Sequence, residues 1–259
     1  FLRSLGDSRT PLYAMTSAAL CNIVLDILFV AVFRWGVFGV AIATVISQCI
    51  SSVICLLALR KMPIMALSRQ DLKADPPMMK RLLGLGVPVA FQNLIISIGG
   101  LALQRVVNGF GFVFMAGINA ATRLCGLMEL AGTSLASAMG TFAGQNLGAR
   151  KLDRVKLGLR RSAQIAVGMA LIVALILVLF GRPLLSLFIN DEPELVEQVL
   201  TYGCRYLNVM SAGLFMLYLL FVYRSTLQGL GDTVIPMISG FVELAMRIGC
   251  VTILPMFLG

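Results

Sequence analysis

Leu5-Gly6-Asp7-Ser8-Arg9-Thr10-Pro11, near the start of the chain, returns near its end as Leu230-Gly231-Asp232-Thr233-Val234-Ile235-Pro236. Six long apolar runs lie between the two copies. An even number of membrane crossings brings a chain back to the side it left. Both copies are therefore expected on the same side, as markers of two like-oriented halves. Parallel halves related by an axis along the membrane normal are a recurrent plan of secondary transporters.

Composition sets the class. Of 259 residues, 59% are hydrophobic and only 13% charged, and the mean hydropathy is +0.93. That excludes an ordinary soluble domain and reads as an all-α polytopic membrane protein. The net charge of +9 would suit nucleic acid, but the basic residues fall between apolar runs, where they act as orientation signals. The lipid bilayer and a small organic molecule are the expected partners, with no nucleic acid. The absence of histidine removes Ser-His-Asp and His-based zinc chemistry, and no Gly-rich run ends in Lys-Ser or Lys-Thr to cradle a nucleotide. An enzyme is not expected, nor a bound cofactor, and an ion gradient is the expected energy source. Cys21, Cys49, Cys55, Cys125, Cys204 and Cys250 form no CxxC and read as packed thiols. Because the chain opens on Phe1 and closes on Gly259 in or at the end of an apolar run, a fragment is expected.

A span needs ~20 mostly apolar residues. Seven stretches qualify, at approximately 12–33, 38–59, 84–107, 113–143, 160–181, 196–222 and 235–258. The fourth and sixth are long enough to tilt or project. Gly140 and Gly144, with Ala116, Gly117, Ala120 and Ala121, offer faces on which neighbouring helices can approach closely. In alternate connections, fifteen Lys and Arg residues lie on one side and only Arg34 and Arg182 on the other, with Asp191, Glu192, Glu194 and Glu197 near the latter. The positive-inside rule then places the long connection and both Gly-Asp motifs in the cytoplasm, and the expected location is the plasma (inner) membrane. Pro76 and Pro77 disfavour helix, so the connection is expected to run to the apolar restart at Leu82.

Asp26 is the costliest residue, since an aspartate deep in a span costs about 2.5–3.5 kcal/mol and needs a partner, a cavity or a proton. Asn22 lies at i−4 on the same helix face. Counted inward from the outer ends of their spans, Asp26 is roughly 10 Å deep and Thr44 roughly 9 Å. The tight reversal Arg34-Trp35-Gly36-Val37 makes the two helices antiparallel neighbours, which puts these groups level. A carboxylate, an amide carbonyl and a hydroxyl at one depth suit a small hard cation or a proton. The competing reading is that Asp26 bonds to Asn22 and a hydroxyl only for packing.

Glu243 and Arg247, at i and i+4, read first as an internal ion pair. Arg123 and Glu129, six apart, lie on different faces; either could face a central cavity, and Glu129 could bind an organic cation. Gln92 and Asn93 could contact a ligand or bond across helices. Abundant Met suits an adaptable cavity.

With the paired Leu-Gly-Asp-(Ser/Thr)-x-x-Pro motifs, Asn22-Ile-Val-Leu-Asp26, Gly39-Val-Ala-Ile-Ala-Thr44 and Phe142-Ala-Gly-Gln145-Asn-Leu-Gly148-Ala-Arg150, the chain resembles the multidrug and toxic compound extrusion (MATE) transporters. These are twelve-span antiporters of two six-span lobes. The resemblance covers the whole chain and implies that its seven spans correspond to family helices five to eleven. It divides the chain into 1–60, the latter part of the N-lobe; 61–83, the cytoplasmic connection; and 84–259, the C-lobe without its last helix. It also implies a cation site at Asn22, Asp26 and Thr44, binding Na+ if sodium is the coupling ion and H+ otherwise, which draws as well on an Asp in the first family helix. Members that use acids in helices seven and ten have no counterpart here, because the spans at 84–107 and 196–222 hold no Asp or Glu at membrane depth. The implied function is export of organic, often cationic, compounds in exchange for Na+ or H+, by a protein acting as a monomer. Gln92, Asn93, Glu129, Glu243 and Arg247 are candidates for the substrate cavity. The alternative is a flippase for lipid-linked saccharides, kept open by Arg105, Arg123, Arg205 and Arg247 within spans. A scaffold protein would leave Asp26 unexplained.

Overall fold

The two copies of the repeat fold alike, and each does two things. The computed structural model describes residues 2–62, 74–189 and 193–258. Gly6 at φ +92° and Gly231 at φ +87° adopt a left-handed backbone that favours glycine. The Gly6 N–H donates to Arg3 (3.1 Å) and the Asp7 N–H to Leu2 (3.0 Å); Gly231 and Asp232 donate in the same way to Gln228 (3.0 Å) and Leu227 (3.0 Å). Paired bonds of this kind close a helical turn as a Schellman motif. The aspartate then starts the next helix. Asp7 Oδ1 accepts from the Arg9 and Thr10 N–H groups, both at 3.0 Å, and Asp232 Oδ1 from Val234 (3.1 Å) and Ile235 (3.2 Å). These N–H groups have no intrahelical acceptor, and neither would those of Pro11 and Pro236 one residue further on. Bonds from Thr10 hold the Asp7 carboxyl below its ordinary pKa, so this cap is present at neutral pH and is lost as pH falls through that lowered value.

The elements are α1 (Arg9–Ile27) running into a π-helical turn (Leu28–Val32), α2 (Gly36–Arg60), α3 (Pro76–Gly109), α4 (Phe112–Gly148), α5 (Leu152–Ser186), α6 (Pro193–Gly229) and α7 (Val234–Leu258). Each expected span is one of these helices. The expectation of a non-helical Pro76-Pro77 fails, because α3 begins at Pro76, and proline in a first turn lacks only an N–H that would have no partner anyway. Of the expected connection 61–83, residues 63–73 lie outside the described residues, as do Asp191 and Glu192. Helices α3 to α6, of 34, 37, 35 and 37 residues, reach about 50–55 Å at 1.5 Å per residue, well beyond the ~30 Å of hydrocarbon. Lys80 and Arg81, and likewise Arg154, Lys156, Arg160 and Arg161, therefore ride on helical extensions and not in loops.

The chain divides into two compact units, Phe1–Asp75 and Pro76–Gly259. In the first, α1 packs on α2 through small side chains: Ala14 on one helix, and Gly39, Ala43 and Ser47, four apart, on the other. A Cβ on Gly39 would fall 2.8 Å from Phe29 Cβ. The reversal takes positive φ at Arg34 and Gly36 and gathers Phe29, Phe33, Trp35 and Phe38, an aromatic girdle of the kind that marks a membrane–water boundary.

In the second unit α4, α5 and α6 pack together, while α3 packs mainly on α7. Parallel helices α4 and α6 interlock at glycines near both ends. A Cβ on Gly117 would lie 2.6 Å from the Val199 carbonyl, and one on Gly229 would collide with the Gly140 carbonyl. Between these points Tyr218, fully buried, lies against Gly132 and donates its hydroxyl to the Met128 carbonyl at 2.6 Å. Gly229→Val is therefore expected to destabilise by about 1–3 kcal/mol through overpacking. Gly168→Val, whose Cβ meets nothing within 4 Å, is expected to be tolerated. Thermal unfolding of the two purified variants separates the outcomes.

Candidate functional site

The polar groups of interest in the first unit lie on α1 and α2. Asn22 and Asp26 are half-buried on one face of α1. Asn22 Nδ2, Asp26 Oδ1 and Ser47 Oγ on α2 are each enclosed without a hydrogen-bond partner. A buried polar atom left in this way costs roughly 1–3 kcal/mol, more when charged. Thr44 is exposed, and its hydroxyl donates to the Val40 carbonyl of its own helix at 2.9 Å. Ser47 was not singled out from sequence. Its signal was the Gly39, Ala43, Ser47 spacing, which marks the face of α2 turned to its neighbour. Two residues after Asp26, α1 gives way to the π turn, a local unwinding that is frequent at functional sites.

The second unit gathers a different set. Glu243 and Arg247 form the expected intrahelical pair at 2.7 Å. Arg224 joins it from α6, donating to Glu243 at 3.0 Å and to Ser239 Oγ at 2.8 Å. Sequence counting placed Arg224 in a connection, whereas it lies within α6 with a side chain only 10% exposed. The half-buried carboxylate of Glu243 is what offsets the cost of that position. Gln92, buried, accepts a bond from Gln228 Nε2 at 3.0 Å and lies against Gly240, where a Cβ would be 3.2 Å from its Cγ. Glu129 on α4 is within electrostatic reach of both Arg247 and Glu243. Of the five cavity candidates, Glu243 and Arg247 are bonded to each other with Glu129 in electrostatic reach, Gln92 is bonded to Gln228 on the same helix as Arg224, and Asn93 is exposed. Arg105, Arg123 and Arg205 are also exposed. No group of three or more His, Cys, Asp or Glu residues suited to a metal occurs among the described residues.

Long apolar helices, each long enough to cross a bilayer, define a multi-pass helical membrane protein. The chain belongs to the MatE family, whose model matches residues 88–251, a family of transporters and not of enzymes. Among its relatives, the probable multidrug resistance protein YpnP of Bacillus subtilis is 32% identical over 80% of this chain and 45% of its own length. The probable multidrug resistance protein YoeA of the same organism is 29% identical over 75% and 44%. A FAD transporter of Shewanella oneidensis is 30% identical over 79% and 47%. The chain spans about half the length of these curated relatives. Among solved structures, the Vibrio cholerae MATE transporter VcmN superposes with a TM-score of 0.88 at 21% identity, covering 96% of this chain and 56% of that one. A MOP superfamily transporter from Pyrococcus furiosus gives 0.86 at 22%, covering 97% and 57%. These likenesses establish the fold.

Removing the shared carboxylate is expected to cost more than removing either cation. Glu243→Ala leaves the nearly buried Arg224 guanidinium with Ser239 alone, a loss of about 3–5 kcal/mol for a broken buried pair. Arg247→Ala, at a side chain 39% exposed and with Arg224 still on Glu243, is expected to cost under about 1 kcal/mol. Unfolding midpoints of the purified variants give the order.

Proposed function

We propose that the protein exports organic compounds, often cations, in exchange for Na+ or H+, and that Asp26 is its coupling carboxylate. The observation that carries this reading is the pair of enclosed, unpartnered atoms, Asp26 Oδ1 and Asn22 Nδ2, on one helix face. A carboxylate in that position gains from any positive particle that reaches it. Proton uptake removes its charge, and a small hard cation suits its oxygens together with the Asn22 carbonyl and a hydroxyl. Thr44 keeps a lone pair free for such a role although its proton is committed to Val40; Ser47 supplies a second hydroxyl on the buried face of α2. Capture and release at Asp26 change how favourably α1 packs, and a ligand that binds one packing better than another shifts the balance between outward-open and inward-open states.

On this reading Gln92, Glu129, Glu243 and Arg247 contact substrate in the second unit, with Asn93 near them. The basic helix ends face the cytoplasm, the protein sits in the inner membrane, and it works as a monomer.

The test is gradient-driven efflux. Asp26→Asn is expected to lower the rate at least tenfold at unchanged protein abundance, and Asn22→Ala to lower it less. The substrate panel pairs organic cations with a flavin dinucleotide, because a relative carries the name FAD transporter. Full transport by Asp26→Asn removes Asp26 from coupling.

A further inference from the structure

One groove of the second unit takes no part in the functional reading above. It is a shallow, open groove of about 660 Å³ between α5 and α6, lined by Lys156, Leu159, Arg160, Ala163, Gln164 and Val167 with Leu219 and Tyr223 across from them. Its polarity changes along its length. Lys156 and Arg160 stand near the start of α5, among the basic residues of that helix end, whereas Val167 lies ~16 Å beyond Lys156 and ~10 Å beyond Arg160 along the helix axis. Tyr223 lies towards the same end of the antiparallel α6, and Leu219 one turn deeper. A cationic mouth, an amphipathic tyrosine and an apolar floor follow the order of a phospholipid, with phosphate at the boundary and acyl chain below it.

Charge narrows the occupant. Among the described residues the ion pairs are those of Arg182, Arg224 and Arg247, so Lys156 and Arg160 meet no carboxylate. Arg161, the next residue, turns instead to Gln164, donating to its Oε1 at 3.2 Å. Two exposed cations one turn apart, above a half-buried apolar strip of Leu159, Ala163, Val167 and Leu219, favour an anionic headgroup over a zwitterionic one, since paired cations with no carboxylate beside them attract net negative charge and basic pockets between spans bind anionic lipid headgroups.

We infer that the α5–α6 groove is a binding site for an anionic phospholipid, its phosphate on Lys156 and Arg160 and one acyl chain along Val167 and Leu219. The inference rests on the proposed orientation only in naming the leaflet; the site itself is independent of transport and of Asp26.

Native mass spectrometry of the purified protein, with phosphatidylglycerol and phosphatidylcholine at equal concentration, tests it. The unsubstituted protein is expected to retain phosphatidylglycerol preferentially, the Lys156→Ala/Arg160→Ala variant to lose about tenfold of that preference, and Arg161→Ala to keep it. No preference in the unsubstituted protein, or equal losses in the double variant and in Arg161→Ala, would overturn the site in favour of diffuse surface charge. A second readout needs no loss of charge. A tryptophan at Leu219→Trp is expected to be quenched more by chain-brominated phosphatidylglycerol than by chain-brominated phosphatidylcholine, and equal quenching also overturns the proposal.

Discussion

Hydrocarbon offers no hydrogen bonds, so every polar group carried into a span must find a partner within the protein. This constraint orders the whole molecule. The backbone satisfies itself as helix, and the hydroxyls mostly do the same by bonding one turn back: Thr44 to Val40, Thr133 to Glu129, Thr141 to Ser137, Ser211 to Leu207, Thr226 to Val222 and Thr252 to Ile248. Amides pair across helices, as Gln228 does with Gln92 and Gln104 with Asn119 at 3.3 Å. Against that habit the exceptions among the described residues stand out, since Asn22, Asp26 and Ser47 all belong to the first unit. Ser47 is the most telling. Its helix carries a carbonyl one turn back that Thr44 and its kind use, and the hydroxyl does not take it.

The repeat lets the two halves be compared position by position. The offset that carries Asp7 onto Asp232 also carries Ala18 onto Glu243, Asn22 onto Arg247 and Asp26 onto Val251. Where the first unit leaves an acid and an amide without partners, the second supplies an acid already matched by its own arginine and by Arg224. A charge closed internally responds weakly to ions from outside, whereas an open one responds strongly. The shared form of the Gly-Asp turns therefore supports two electrostatically unlike halves, and the unpartnered acid lies in the first.

Local signals were legible in the sequence. The Gly-Asp turn reads directly as a stop and a start because its geometry is set within seven residues, the spans read from hydropathy, and Glu243–Arg247 from i,i+4 spacing. What escaped depends on distance along the chain. Arg224 and Glu243 are 19 apart on different helices, and nothing in either helix alone announces the pair. The helical extensions of α3 and α5 escaped for another reason: hydropathy marks where a span leaves the hydrocarbon, not where the helix ends. Proline sharpened that error at Pro76, since its effect reverses between a helix interior and a first turn.

The second unit also shows where it can and cannot yield. Within α4, α5 and α6 the contacts are glycine-lined and apolar, with Gly140 against Gly229, Gly117 against Gly203 and Tyr218 seated on Gly132, and close packing of this kind resists gradual sliding. The α3–α7 pair meets that block through few contacts, and the side-chain bonds across the junction are polar: Arg224 to Ser239 and Glu243, Gln228 to Gln92, Gln104 to Asn119. Such bonds contribute about 0.5–1.5 kcal/mol net each and can be exchanged for one another or for bonds to a ligand, whereas a filled glycine contact has no substitute partner. The junction is the weaker seam of the unit, and it contains Gln92, Glu243 and, through its carboxylate, Arg247. On the proposed function, a molecule entering there would compete with bonds that hold α3 and α7 to the rest, and its occupancy would be coupled to the arrangement of the helices around it.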